Sequence, residues 1–425
     1  MKPVKKNTFE QFKNLLNFAF NNERSSFYRD KYQKTGFTPD SDFRSLKDVK
    51  KIPLLTREEL VQEDTSRLLF VPEEKVKNVF PTSGTTTGKS FITFHSKDVL
   101  GFPPNHELHQ KKVLILFSPF HANLNPTLPQ TKLVFFGNIF NLPASCLVAS
   151  KLGINHVWTT PTLAILLKKY LADYPDFQEN LRSLSLIGEM VSPEKKRLLQ
   201  KFYLNKEIFI NYGTSEMGGI PAMQCRALAK RSGEILFHLR VEDCYFEIIN
   251  PETKEEVPLG EQGELIITNF INRATPLIRY RTGDLASFRE NDCSCGAPGP
   301  LLKICGRINY DIAKVAGFEL RSDMLERPLI NLSSFLKDEF EAHIHETFMG
   351  DKPRIQIKLN LSLKEGVKES PELKQKIENE LLENWRLSPR LNLKKAVEAG
   401  LFDFPQINFV QFPFSVKARR FLILH

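Results

Sequence analysis

A chain of 425 residues, 41% of them hydrophobic, is long enough for two or three domains and a sizeable core, which excludes a small stapled module. Its 59 basic and 50 acidic residues leave a formal charge of +9, but short clusters such as Lys195-Lys196-Arg197 and Lys417 to Arg420 form no long stripe. A surplus of this size equally suits polyanionic small molecules, so no nucleic-acid partner is expected. With neither a signal-peptide pattern nor an apolar run of spanning length, the expectation is a cytoplasmic protein with no membrane partner.

Residues 1 to 76 alternate helical patterns with extended breaks. Phe9, Phe12, Leu15, Leu16 and Phe18 to Phe20 carry the apolar spacing of an amphipathic helix. Ile52 to Leu60 reads as an extended entry and a helix start, with Thr56 as N-cap and Glu59 as its capping-box partner. Strand-like runs follow at Val113 to Phe117, Leu133 to Phe136, His156 to Thr160, Leu184 to Ile187 and Ile208 to Tyr212. A proline-initiated helix spans Pro161 to Tyr170. Buried strand, polar turn and helix in alternation predict an α/β fold with mainly parallel sheets flanked by helices. Ligands of such sheets bind beyond the carboxyl ends of the strands, where Gly188-Glu189 and Tyr212 to Glu216 fall.

From about residue 234 to 305 the texture changes to strands and turns, predicting a small antiparallel β subdomain through Tyr245 to Ile249, Gly263 to Thr268 and Leu277 to Tyr280. The expected division is a large domain over 1–309 and a small α+β domain over 310–425, the latter with a strand at Arg354 to Leu359, a charged helix at Pro371 to Asn384 and a strand at Gln406 to Phe412.

One stretch packs nothing. Between Phe80 and Phe91, Pro81 to Ser90 sets six hydroxyls (Thr82, Ser83, Thr85, Thr86, Thr87, Ser90) among Gly84, Gly88 and Lys89. Glycine permits close backbone approach, the hydroxyls donate, and lysine adds a point charge, which suits a polyphosphate. Gly84 and Gly88 enclose too few residues for the helix-based nucleotide loop, so another loop type is needed. A ligand-free Thr/Ser/Gly turn is the competing reading.

Four ordered stretches, TSGTTTGK (82–89), YGTSE (212–216), YRTGD (280–284) and GRINYDIAKVAG (306–317), resemble the adenylate-forming superfamily of acyl-CoA ligases and adenylation domains. Glu326 and a lysine near the end follow them. GELIITNF, TPLIRYRTGDL, the CSCG turn (293–296) and Gly188-Glu189 are similar to its phenylacetate-CoA ligase-like branch. The resemblance implies a large N-terminal domain, a mobile C-terminal domain, and activation of a carboxylic acid by ATP to an acyl-adenylate that then passes to coenzyme A. It also assigns residues. Ser83 to Lys89 would hold the β- and γ-phosphates, with Thr85 and Thr86 the best-placed hydroxyls; the loop has one more Thr than the common TSGTTG form, which leaves the register of Thr85 to Thr87 open. Glu216 would bind Mg²⁺. Gly188, Glu189, Met190, Asn211, Tyr212, Gly213, Thr214 and Ser215 would line the nucleotide, Asp284 the ribose, and Arg307 the ribose or phosphate. Lys417, in a terminal motif where Val416 replaces the usual glycine, would bridge carboxylate and α-phosphate. Tyr310 stands where the family has an acidic hinge residue; Asp311 takes that role if the frame shifts by one, as Lys314 and Gly317 suggest.

Cys146, Cys244 and Cys305 read as small core residues. Cys225, His238, Cys293 and Cys295 would make a Cys₃His set for structural Zn²⁺, an arrangement some proteins of this branch share; free thiols are the alternative. Phe136, Phe140, Trp158, Met217, Gly218, Gly219 and Ile220 are the expected acyl pocket, suited to an aryl or arylacetic acid. A carrier-protein thiol or an amine as acceptor, a catalytically lapsed scaffold, and a homodimer are the open alternatives.

Overall fold

The computed structural model describes residues 7–81, 91–96, 111–117, 131–189, 191, 193–307, 312–315, 318–349, 352–388, 391–411 and 421–424. It divides into two compact units, Met1–Gly188 with Leu199–Cys305, and Glu189–Leu198 with Gly306–His425.

The first unit is built on one sheet of eleven strands. Five of them, β3 (Lys112–Leu116), β4 (Leu133–Phe136), β5 (His156–Thr159), β6 (Ser183–Leu186) and β7 (Glu207–Thr214), pair in parallel in the order β4-β3-β5-β6-β7. A hairpin of β1 (Asn78–Pro81) and β2 (Ile92–His95) stands apart, pairing Asn78 with His95 and Pro81 with Ile92. The Ser/Thr/Gly stretch of 82–90 falls in sequence between these two strands and lies outside the described residues.

Strands β3, β5 and β6 are buried on both faces, which is why they read as apolar runs in the sequence. Val113, Ile115, Phe117, Trp158, Ile187, Ile220 and Met223 form one buried cluster. The crossovers start where the sequence signals them: Thr160 caps helix Pro161–Leu171, its hydroxyl accepting from the Leu163 N–H at 3.3 Å, with proline at the first helical position.

Beyond β7 the sheet becomes antiparallel. β8 (Gly219–Met223) turns back on β7, and β9 (Leu236–Leu239), β13 (Leu301–Arg307), β12 (Tyr280–Arg289), β11 (Gly263–Asn269) and β10 (Cys244–Ile249) follow in that order. The antiparallel strands thus continue the parallel ones. Helix Thr8–Phe20 buries Phe12, Leu15, Leu16 and Ala19, the i, i+3, i+4, i+7 face. Phe12 meets Tyr245 and Phe270 edge-on, each at 5.0 Å, which ties the helix to β10 and the end of β11.

One expected strand starts later than its aliphatic residues imply. Leu277 to Arg279 precede β12, and Arg279 adopts φ 48°. Its guanidinium holds the Glu247 carboxylate at 3.0 and 2.9 Å and donates to the carbonyls of Lys50 and Ile52, so side-chain pairing offsets the left-handed backbone. The same junction docks the N-terminal segment: Leu55 N–H donates to Arg279 O, and Arg281 N–H to Leu55 O.

In the second unit, β14 (Ile312–Val315) pairs with β15 (Phe318–Arg321), and β16 (Leu336–Met349) forms a long hairpin with β17 (Lys352–Leu363). Strands Phe421–Leu424 and Gln406–Phe409 add in parallel to its two edges. Phe340, Ile344, Ile357, Leu359 and Leu361 face Leu373, Ile377 and Leu381 of helix Pro371–Asn384 in one core. Segment Glu189–Leu198, placed by sequence in the first domain, groups with this unit, and Lys195 there pairs with Glu346 at 2.7 Å.

Candidate active site

The site residues gather where β7 ends. After Thr214 the chain reverses in one turn: the Thr214 hydroxyl accepts from the Met217 N–H at 3.2 Å, Gly218 N–H donates to Ser215 O at 3.0 Å, and Gly219 starts β8 opposite Thr214. Gly218 has φ +67°, and an added Cβ would lie 2.3 Å from the His95 ring. Glycine is required there on both counts. His95 is buried, and desolvation pushes its pKa down to about 3, so it is a neutral wall beside the turn.

Two contacts tie other elements to this turn. The Tyr212 hydroxyl donates to Asp284 Oδ2 at 2.6 Å, bringing the Thr282-Gly283-Asp284 segment of β12 to the end of β7; Asp284 is buried, and its N–H is held by Thr282 Oγ1 at 3.1 Å. Four residues after Tyr212, Glu216 Oε1 is 3.0 Å from Arg57 Nη1, with both side chains 13% exposed. The Arg57 guanidinium also lies 5.2 Å over Phe91, the residue that follows the Ser/Thr/Gly stretch.

Asn211 is 4% exposed, and among the described residues neither atom of its side-chain amide has a hydrogen-bond partner. Buried amides are rarely left so, and one that offers both a donor and an acceptor marks a place for a planar ligand edge. Of the residues expected to line the acyl pocket, Trp158, Met217 and Ile220 are buried, whereas Phe136 and Phe140 are exposed.

Away from this turn, Cys225, His238, Cys293 and Cys295 bring four ligand atoms within 4.8 Å of one another. Cys225 Sγ is 3.5 Å from Cys293 Sγ, Cys293 Sγ 3.4 Å from Cys295 Sγ, and Cys295 Sγ 3.2 Å from His238 Nε2. A tetrahedron with metal–sulfur bonds of about 2.3 Å has edges of about 3.8 Å. N–H donors meet two of the sulfurs, Leu228 on Cys225 at 3.4 Å and Ala297 on Cys295 at 3.5 Å, and such donors favour thiolates. The donor set fits Zn²⁺.

Residues 106–270 match the family model of the AMP-binding enzymes. The phenylacetate-coenzyme A ligase of Thermus thermophilus is 26% identical over 343 residues, 76% of this chain and 74% of that one. That of Aromatoleum evansii is 23% identical over 383 residues, 84% and 82%. Over residues 106–270 the chain is thus similar to the AMP-binding enzymes, and over most of its length to phenylacetate-coenzyme A ligases. The crystal structure of 2-hydroxyisobutyryl-CoA ligase in complex with 2-HIB-AMP and CoA aligns with a TM-score of 0.65 at 18% identity, covering 98% of this chain and 88% of that one, and shares its fold.

Several expected site residues lie outside the described residues: Ser83 to Lys89, Met190, the hinge candidate Asp311 and Lys417. Gly188 ends the β6 segment with φ +88°, Glu189 groups with the second unit, and Arg307 closes β13. Those that the first unit brings together are Asn211 to Glu216 with Asp284, and Trp158 with Ile220. Sequence reasoning missed Arg57 and His95. Arg57 sits inside a capping box realised as expected, Thr56 N–H to Glu59 Oε2 at 2.8 Å and Glu59 N–H to Thr56 Oγ1 at 3.2 Å, which explains the segment locally and hides the long-range partner.

Proposed function

We propose that the chain activates an aryl or arylacetic acid with ATP and passes the acyl group to coenzyme A, releasing pyrophosphate and AMP. The observation that carries this reading is the single turn that presents Tyr212, hydrogen-bonded to Asp284, and Glu216 four residues on, beside the foot of the Ser/Thr/Gly hairpin. A carboxylate resists thiol attack because its leaving group would be oxide. In the first step its oxygen attacks the α-phosphorus while the bond to the bridging β-phosphate oxygen breaks, giving a mixed anhydride and pyrophosphate. In the second the coenzyme A thiolate attacks the acyl carbon, and AMP leaves with the electron pair. Both steps depend on positioning and charge neutralisation more than on proton transfer.

The residues divide the work. Asp284 accepts from the ribose hydroxyls, Tyr212 flanks the adenine while orienting Asp284, and the Asn211 amide reads the edge of the base. The hydroxyls and Lys89 of the hairpin connection hold the leaving phosphates, and Lys417 meets the reacting oxygens. Magnesium, when bound, supplies charge neutralisation of the triphosphate, with Glu216 as its protein ligand, since this ion favours a carboxylate alongside phosphate oxygens. Acid-dependent pyrophosphate exchange over a panel of aryl, arylacetic and aliphatic acids, followed by AMP release with and without coenzyme A, tests the reading. Exchange with aryl acids and coenzyme A-dependent turnover are expected; exchange with no acid of the panel sinks it.

Zn²⁺ at Cys225, His238, Cys293 and Cys295 would be structural, because four protein ligands leave no open position. It would brace the start of helix Arg226–Lys230 against β9 and the turn before β13. The purified protein is expected to hold about one zinc per chain, and Cys293→Ser to lose it with a melting point lowered by about 5 °C or more, while the turnover of the folded variant stays near that of the parent. Metal-free protein of unchanged melting point in both forms would leave these residues as thiols.

A further inference from the structure

Glu216 has a role above, but Arg57, which pairs with it, has none. It joins residues 159 apart in sequence, each side chain 13% exposed, so neither is a solvated surface charge. Arg57 is placed firmly. The capping box fixes the helix start at Thr56, Lys31 pairs with the Glu59 carboxylate of that box, and the backbone of Leu55 is bonded on both sides to Arg279 and Arg281. Phe91 supports the face of the guanidinium. Glu216 sits on a turn whose backbone is equally fixed by Thr214 and Ser215.

A carboxylate on a two-bond stem rotates unless something holds it, and a cation ligand that rotates loses affinity to ordering entropy. Here Nη1 of the guanidinium fork takes hold of Oε1 of Glu216 while Phe91 supports the plane of the fork, an orientation an ammonium does not have. We propose that Arg57 is a positioning residue of the reaction: it fixes the Glu216 carboxylate by one oxygen and so sets the direction in which the other meets the magnesium ion of the bound nucleotide. The inference rests on Glu216 being the magnesium ligand, as argued above.

Equilibrium binding separates the two. AMP binding in the absence of metal reads the Tyr212–Asp284 side, and the magnesium dependence of ATP binding reads Glu216. Arg57→Gln is expected to leave the AMP dissociation constant within about twofold and to raise the magnesium concentration for half-maximal ATP binding by about tenfold; Arg57→Lys, which keeps the charge but not the fork, should fall between. The double variant Arg57→Gln/Glu216→Gln should be no worse in magnesium dependence than Glu216→Gln alone, because both substitutions remove one unit of function. Unchanged magnesium dependence in Arg57→Gln overturns the proposal, as does an equal weakening of AMP binding, which would mark a structural role. If Glu216→Gln itself leaves the magnesium dependence unaltered, the magnesium-ligand reading fails first, and the two failures are told apart.

Discussion

Lys417→Ala is expected to slow acyl-adenylate formation by at least about 100-fold while leaving transfer from preformed adenylate to coenzyme A nearly unchanged. The asymmetry follows from charge. Adenylation brings a carboxylate onto a phosphate, and two unit charges about 4 Å apart repel by about 4 kcal/mol at an effective dielectric near 20. An ammonium between them offsets a repulsion of that size, which corresponds to about a thousandfold in rate. In the second step the thiolate attacks the uncharged acyl carbon, and no carboxylate has to be brought onto the phosphorus, so the ammonium is not needed at that place. A lysine suits a role needed in only one half-reaction because it is a compact charge on a flexible stem. Acid-dependent pyrophosphate exchange measures the first step, and single-turnover mixing of synthetic acyl-adenylate with coenzyme A the second. Equal losses in both would remove Lys417 from the role.

The parallel strands were legible because burial on both faces leaves apolar runs: Val113 to Phe117 and Leu184 to Ile187 lie within a residue of the observed β3 and β6. Strand β16 was legible too and was missed. Its inward residues Phe340, Ala342 and Ile344 alternate with Glu341, His343 and His345 as in a half-buried strand, a signal that the reading of this region did not use. Leu277-Ile278-Arg279 looked like strand and is a turn, because the Glu247 carboxylate that captures Arg279 lies 32 residues away. The site shows the same division. Tyr212 and Glu216 share one short motif, so their spacing is in the sequence, and the resemblance adds Asp284. Arg57 and Glu216 meet only through tertiary structure, as do Cys225, His238 and the Cys293-Cys295 turn.

Asp284→Ala should abolish the preference for ATP over 2′-deoxy-ATP and weaken the binding of AMP on the order of 100-fold. A charged acceptor contributes about 1.5–3 kcal/mol per hydrogen bond, and a ribose offers two hydroxyls to one carboxylate, so even the lower end of that range, about 3 kcal/mol for both, reaches the roughly 2.7 kcal/mol that 100-fold represents. Removing the 2′-hydroxyl from the ligand removes one of those bonds in the parent protein and nothing in the variant. Tyr212→Phe is the finer probe. Its ring stays while the 2.6 Å bond to Asp284 Oδ2 is lost, so Asp284 remains but is less well aimed. A loss of about 1 kcal/mol, roughly fivefold in AMP affinity, is expected, with the preference for the 2′-hydroxyl reduced but retained. Because Tyr212 acts on the ribose through Asp284, its hydroxyl should matter little once Asp284 is alanine, and the double variant should resemble Asp284→Ala. Calorimetry with AMP and its 2′-deoxy form reads all four proteins. Discrimination that survives in Asp284→Ala would place the ribose elsewhere and break the link between the hydrogen-bonded pair and nucleotide recognition.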